Sequence, residues 1–188
     1  MLPPPERNDT SVETADPASS TTTSIREFVA SHKSAVGRML RGVFEIRSLQ
    51  EAEKLSSMLA THCPNPEKVA VGIWELLANA VEHGNLEISF EEKAALLERG
   101  GFAAEIDRRL SLPQYANRVV LVDFELTADG IHLTVTDEGH GFDFTHFLNS
   151  DTAAARPNGR GIVIASRLCF DRLTYHGSGN RAEALIAL

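Results

Sequence analysis

Glu75 and Asn79 stand four residues apart in VAVGIWELLANAVEHGN. On a helix that spacing puts them about 40° apart around the axis and about 6 Å along it. Glu82 and His83 extend the same stripe, and Val71, Ile73, Trp74, Leu76, Leu77, Ala80 and Val81 fill the rest of the girth. A helix apolar around most of its circumference is a buried one, so its polar stripe must face a cavity or satisfied partners. There a carboxylate can take a proton and a side-chain carbonyl can meet a hard cation. The same pair also suits an exposed helix face, and His83 suits a surface position near a helix end. Two glycine loops follow. Asp137-Glu138-Gly139-His140-Gly141-Phe142 comes directly after an apolar strand pattern. Its carboxylate can accept a hydrogen bond from an amino group, and its glycines let backbone approach a ligand closely. Asn158-Gly159-Arg160-Gly161 precedes an apolar helix pattern. Free N–H groups at a helix start, with an arginine beside them, suit a phosphate.

The elements that must position these residues can be read in order. Residues 1–23 are rich in Pro, Ser, Thr and acidic side chains and offer little to bury, which predicts a disordered tail. Ser24 and Glu27 match a capping box, and Ile25, Phe28, Val29, Val36, Met39 and Leu40 recur at helical spacing. An amphipathic helix over 24–41 is expected, packed on its own domain or against a second copy or partner. A strand over 43–47 and a helix over 49–62 come next. Asn65-Pro66, with Asn as cap and Pro in the first turn, opens the helix bearing Glu75, which is expected to run to Gly84. Two short helices broken at Gly100-Gly101 occupy 90–112. Strands are expected over 118–126 and 131–136, joined by Ala128-Asp129-Gly130. After a polar stretch over 143–158 and a helix over 161–168, a final strand pair covers 170–175 and 181–187. Strands joined by tight turns predict an α+β two-layer sandwich, with a mixed, mostly antiparallel sheet and helices on one face.

Composition sets the bounds. The chain has 188 residues, enough for one domain with a modest appendage. With 18 Lys+Arg against 26 Asp+Glu, the net charge is −8. That balance argues against nucleic acid and anionic lipid as partners. Two isolated cysteines, Cys63 and Cys169, make no disulfide framework. With no membrane-length apolar run and no secretory start, a cytoplasmic protein is expected.

The three motifs in this order resemble the GHKL ATPase superfamily, which includes DNA gyrase B and the histidine kinases. ELLANAVEHGN is similar to its N box, DEGHGF to its G1 box and NGRGI to its G2 box. The resemblance covers about residues 43–188 and implies the Bergerat α/β sandwich, with ATP and Mg²⁺ as cofactors. It implies that Asn79 coordinates Mg²⁺ and that Asp137 holds the adenine amino group. Gly139, Gly141 and Phe142 would shape the adenine pocket, and 143–158 would form an ATP lid. Gly159, Arg160 and Gly161 would lie at the phosphates, with Arg156 as a further lid cation and His83 within reach of a phosphate or the lid. Glu75 fills the position of the general base.

Within the superfamily the chain looks most like the anti-sigma factor serine/threonine kinases, sharing the Glu and the pattern Asn79-Ala80-Val81-Glu82-His83-Gly84. That likeness implies a protein kinase whose partners are an antagonist protein and a sigma factor or similar regulator. A nucleotide-holding switch without turnover is the alternative, and a histidine kinase catalytic domain a third, disfavoured by Glu75. Three features depart from the family: residues 86–117 are an insertion, the last strand has no threonine, and the lid is short. The amphipathic insertion reads either as a cap on the sheet edge or lid side, or as a partner surface from which the ATP site needs nothing.

Overall fold

A computed structural model describes residues 37–144 and 165–188, together with Ser24, Ile25 and Glu27. The expected tail over 1–23 and most of the N-terminal helix lie outside the described residues. Ser24, Ile25 and Glu27 are helical, and Ile25 is buried in the core. The helix does not reach residue 41: residues 37–40 are irregular and Gly37 has φ of +98°. Arg41 then opens strand β1.

Five strands form one sheet: β1 (Arg41–Ile46), β2 (Val120–Leu126), β3 (Ile131–Thr136), β4 (Arg172–His176) and β5 (Arg181–Ile186). Their spatial order is β1-β2-β3-β5-β4, and every pairing is antiparallel. The expected α+β sandwich is therefore present, without the parallel pair that a mixed sheet allows. Alternation decides the faces. Val120, Val122 and Phe124 of β2, and Ile131, Leu133 and Val135 of β3, all point into the core. Between them lie Leu121, Asp123, Glu125, His132 and Thr134 on the open face. Burying Phe124 and Leu133 completely contributes about 2–3 kcal/mol each.

Helices α1 (Leu49–Ala60) and α2 (Pro66–Asn79) cover the inner face. Ser48 caps α1 in a full capping box with Glu51. Asn65 precedes α2 in the left-handed region, at φ 51°, and its side chain makes no cap bond. Its role is thus backbone geometry rather than the expected side-chain cap, and Pro66 supplies the pre-set first turn. Gly72 lets α2 lie against the turn Ala165–Cys169, since a Cβ there would sit 2.4 Å from the Cys169 Cβ. The insertion folds as two helices, α3 (Phe90–Glu98) and α4 (Phe102–Leu110), broken at the two glycines as expected. No helix among the described residues is long and apolar enough to cross a membrane.

Candidate functional site

Helix α2 does not continue regularly to Gly84. After Asn79 the chain widens into a π-helical turn, Ala80–Asn85, in which the Leu86 N–H donates to the Val81 carbonyl at 2.9 Å. Single π turns recur at functional sites, and this one changes which side chains share a face. The extra residue per turn breaks the single stripe expected of Glu75, Asn79, Glu82 and His83. Asn79 and His83 line a cavity of about 70 Å³, whereas Glu75 is absent from its lining and Glu82 is only 3% exposed.

The opposite wall comes from the sheet. Asp137, at the end of β3, faces the cavity with Gly141 and Phe142, and Tyr175, Gly179 and Asn180 from the β4–β5 hairpin complete that side. Backbone bonds join the two loops: Asp137 N–H donates to the Asn180 carbonyl at 3.0 Å, and Phe142 N–H to the Ser178 carbonyl at 2.9 Å. Gly141 has φ of +79°, and a Cβ on it would come 2.2 Å from the Ser178 carbonyl oxygen. Gly139 lies over Gly84, where a Cβ would meet the Gly84 carbonyl oxygen at 2.4 Å. Both glycines of the Asp137 loop are therefore demanded by close backbone approach. The ring of Tyr175 meets Phe142 edge-on at 5.2 Å and stacks on Phe144 at 5.6 Å.

Burial pushes the Asp137 carboxyl up to about 6, against a lowering bond from the Gly139 N–H at 2.9 Å. A ligand amino group donating to this carboxylate would favour its ionised form. On the helical side, the Asn79 Nδ2 is buried with no hydrogen-bond partner. An unpaired buried amide is costly, and one lining a cavity fits an oxygen-rich ligand. Burial lowers His83 to about 4, so its ring is neutral near pH 7. Its Nδ1 is 2.5 Å from the Ile88 carbonyl oxygen, which can only accept, so Nδ1 carries the hydrogen. The ring offers a lone pair at Nε2, not a positive charge. Burial raises the Glu75 carboxyl above its ordinary range, Glu82 adds to this, and Lys93 opposes it.

The insertion enters this site directly. Phe90 of α3 lines the cavity and packs on the His83 ring with centroids 4.1 Å apart. Lys93 Nζ lies 2.5 Å from Glu82 Oε2. The reading that the site needs nothing from residues 86–117 is corrected by these two contacts. The pocket also takes Tyr175 and Asn180, which no motif marks; Asn180 ends the turn Gly177-Ser178-Gly179-Asn180 between the last two strands, and only the fold names its partner loop. Arg156, Gly159, Arg160 and Gly161, with the lid beyond Phe144, lie outside the described residues. No group of His, Cys, Asp and Glu among the described residues is arranged to hold a metal ion.

A family model described as a histidine kinase-like ATPase domain matches residues 29–186. No curated protein matches the chain.

Proposed function

Since the chain belongs to the histidine kinase-like ATPase domain family, we propose that this ATP-binding regulatory protein is a protein serine/threonine kinase of the anti-sigma type. The observation that carries the nucleotide reading is one cavity joining the Asp137 carboxyl, with its two obligatory glycines, to the unpartnered amide of Asn79. Asp137 would accept from the adenine amino group, the unpartnered Asn79 Nδ2 would donate to a phosphate oxygen, and the Asn79 side-chain oxygen would hold Mg²⁺. When bound, that ion neutralises charge on the phosphates. In the transfer, a serine or threonine hydroxyl oxygen of the partner forms a bond to the γ-phosphorus while the bond to the bridging oxygen breaks and ADP leaves. Glu75, one turn before Asn79, would take the hydroxyl proton. Burial raises its carboxyl, which strengthens it as a base. The partner would be a small antagonist protein, with a sigma factor or similar regulator as the second target.

One observation favours a second reading, a nucleotide-dependent partner switch without turnover: Glu75 does not line the cavity. Radiolabelled ATP mixed with candidate partners separates the two. Label on partner serine or threonine, lost in Glu75→Gln while ATP affinity stays within about threefold, supports the kinase. Nucleotide-dependent complexes that never carry label support the switch. Acid-labile label on a histidine would overturn both.

A further inference from the structure

Three cations from the segment after the π turn converge on it. Lys93 Nζ of α3 holds Glu82 Oε2 at 2.5 Å, Arg109 Nη1 of α4 donates to the Leu86 carbonyl at 2.7 Å, and Arg118 Nη1 donates to the Asn85 carbonyl at 2.8 Å. The two arginines meet carbonyls that end the helical run, where cations are favoured. Lys93 differs from them, because its partner is a side chain in the middle of the turn and almost fully buried. Glu82 stands between Asn79, at the head of the turn, and His83, so where its carboxylate goes, the turn follows. Burial raises Glu82 and Lys93 lowers it. Without Lys93, that carboxylate must take a proton or swing toward water.

We infer that the α3–α4 hairpin is the positioning element for the Asn79–His83 side of the site, and that Lys93 exerts this through the buried carboxylate of Glu82. The inference rests on the nucleotide reading only for which end of the ligand feels it. The Asp137 and Phe142 amides are held by the Asn180 and Ser178 carbonyls of the β4–β5 turn, with no bond to Lys93, while between them the Glu138 N–H donates to Asn85 Oδ1 of the π turn at 2.8 Å. Loss of the pair should therefore disturb what the phosphates meet and leave what the base meets. A hairpin that merely caps the fold would disturb both ends together.

The test uses the full chain with Lys93→Met, Glu82→Gln and Lys93→Arg. Adenosine and Mg²⁺-ATP are titrated separately, and backbone amide exchange is followed in the ligand-free protein. Lys93→Met and Glu82→Gln should weaken ATP about tenfold, roughly one net charged hydrogen bond, with adenosine affinity unchanged. Both should speed exchange at residues 81–86 but not at Asp137 and Phe142, whose amides the β4–β5 turn holds. Lys93→Arg should restore both readouts. Glu82→Gln leaves no unpaired carboxylate, so it still reports if Lys93→Met fails to fold. Wild-type ATP affinity and exchange in Glu82→Gln would overturn the inference, as would equal losses for adenosine and ATP. If the folded wild type binds no ATP, the nucleotide reading falls, while exchange at 81–86 still decides the positioning role.

Discussion

The two walls of the cavity are built by different means. The Asp137 wall is backbone against backbone: two inter-loop amide bonds, and glycines whose every added atom would strike a carbonyl. The Asn79 wall is held by side chains from elsewhere: one lysine on the Glu82 carboxylate and two arginines on the carbonyls that end the turn. A wall of the first kind tolerates no added side chain at its glycines, and only its one carboxylate, Asp137, answers to pH. A wall of the second kind accepts substitution gradually and responds to charge. On the proposed function, the wall of fixed shape would meet the base and the wall of rearrangeable charge the phosphates.

The harshest way to break the comparison is to remove the hairpin. Replacing residues 90–112 with a short Gly/Ser linker deletes Lys93 and Arg109 and strips the buried Leu96 and Ile106 from the core. An unpaired buried Glu82 alone costs about 3–5 kcal/mol, far more than the change in loop closure. The expected outcome is loss of ATP binding and a large fall in the urea midpoint. A truncated protein that keeps both would show that the Asn79 wall stands without its clamp.

Gly141→Ala attacks the other wall. The new Cβ meets the Ser178 carbonyl oxygen at 2.2 Å, in a backbone region that L-residues avoid. Overpacking and the left-handed cost together come to about 3 kcal/mol. Thermal unfolding should show that loss, with ATP binding lost alongside it.

Acid separates the walls by sign. The usual carboxyl value for Asp137 is 3.8 and its folded value is about 6, so the folded state binds its proton more tightly. Its contribution to stability is fully present below 3.8 and is lost as pH rises through about 6. His83 falls from 6.5 to about 4, so its contribution is present above 6.5 and is lost as pH falls through about 4. Between these limits the two oppose each other. From about pH 7.5 to about pH 5, the unfolding free energy of His83→Gln from urea titration should rise relative to wild type and that of Asp137→Asn should fall, by about 1–2 kcal/mol each. Parallel slopes in all three proteins would contradict the assignment.

These walls were not equally legible in the amino-acid order. The Asp137 loop announces itself because carboxylate, glycines and strand end are contiguous, and period-two alternation located β3 to the residue. Its partner turn, Ser178 to Asn180, was visible as a turn, but only the β3–β5 pairing brings it beside Asp137. The Asn79 wall was legible up to Asn79 and no further. A helical wheel assumes 3.6 residues per turn, and the π turn departs from it where Glu82 and His83 diverge. Lys93 and Phe90 read as parts of an ordinary amphipathic helix, because a side chain pairing across eleven residues leaves no local pattern. For the same reason the sequence locates the Asn65 cap but not how it works: position is local, while φ depends on the loop around it.

The smallest effect isolates the interlock from the backbone conformation. Gly100, between α3 and α4, has φ of +69°, close to the +79° of Gly141, yet a Cβ there would meet nothing within 4 Å. Gly100→Ala therefore carries the left-handed cost alone, about 1 kcal/mol, and none of the collision. It also leaves Lys93, Arg109 and both loops of the cavity where they are. Thermal unfolding should show that small loss, with ATP affinity unchanged. The difference between Gly100→Ala and Gly141→Ala then measures what the Ser178 carbonyl contributes to the rigidity of the base wall. Equal losses at the two positions would mean that the wall yields to an added methyl, and that its fixed shape comes from the two amide bonds rather than from the glycine contact.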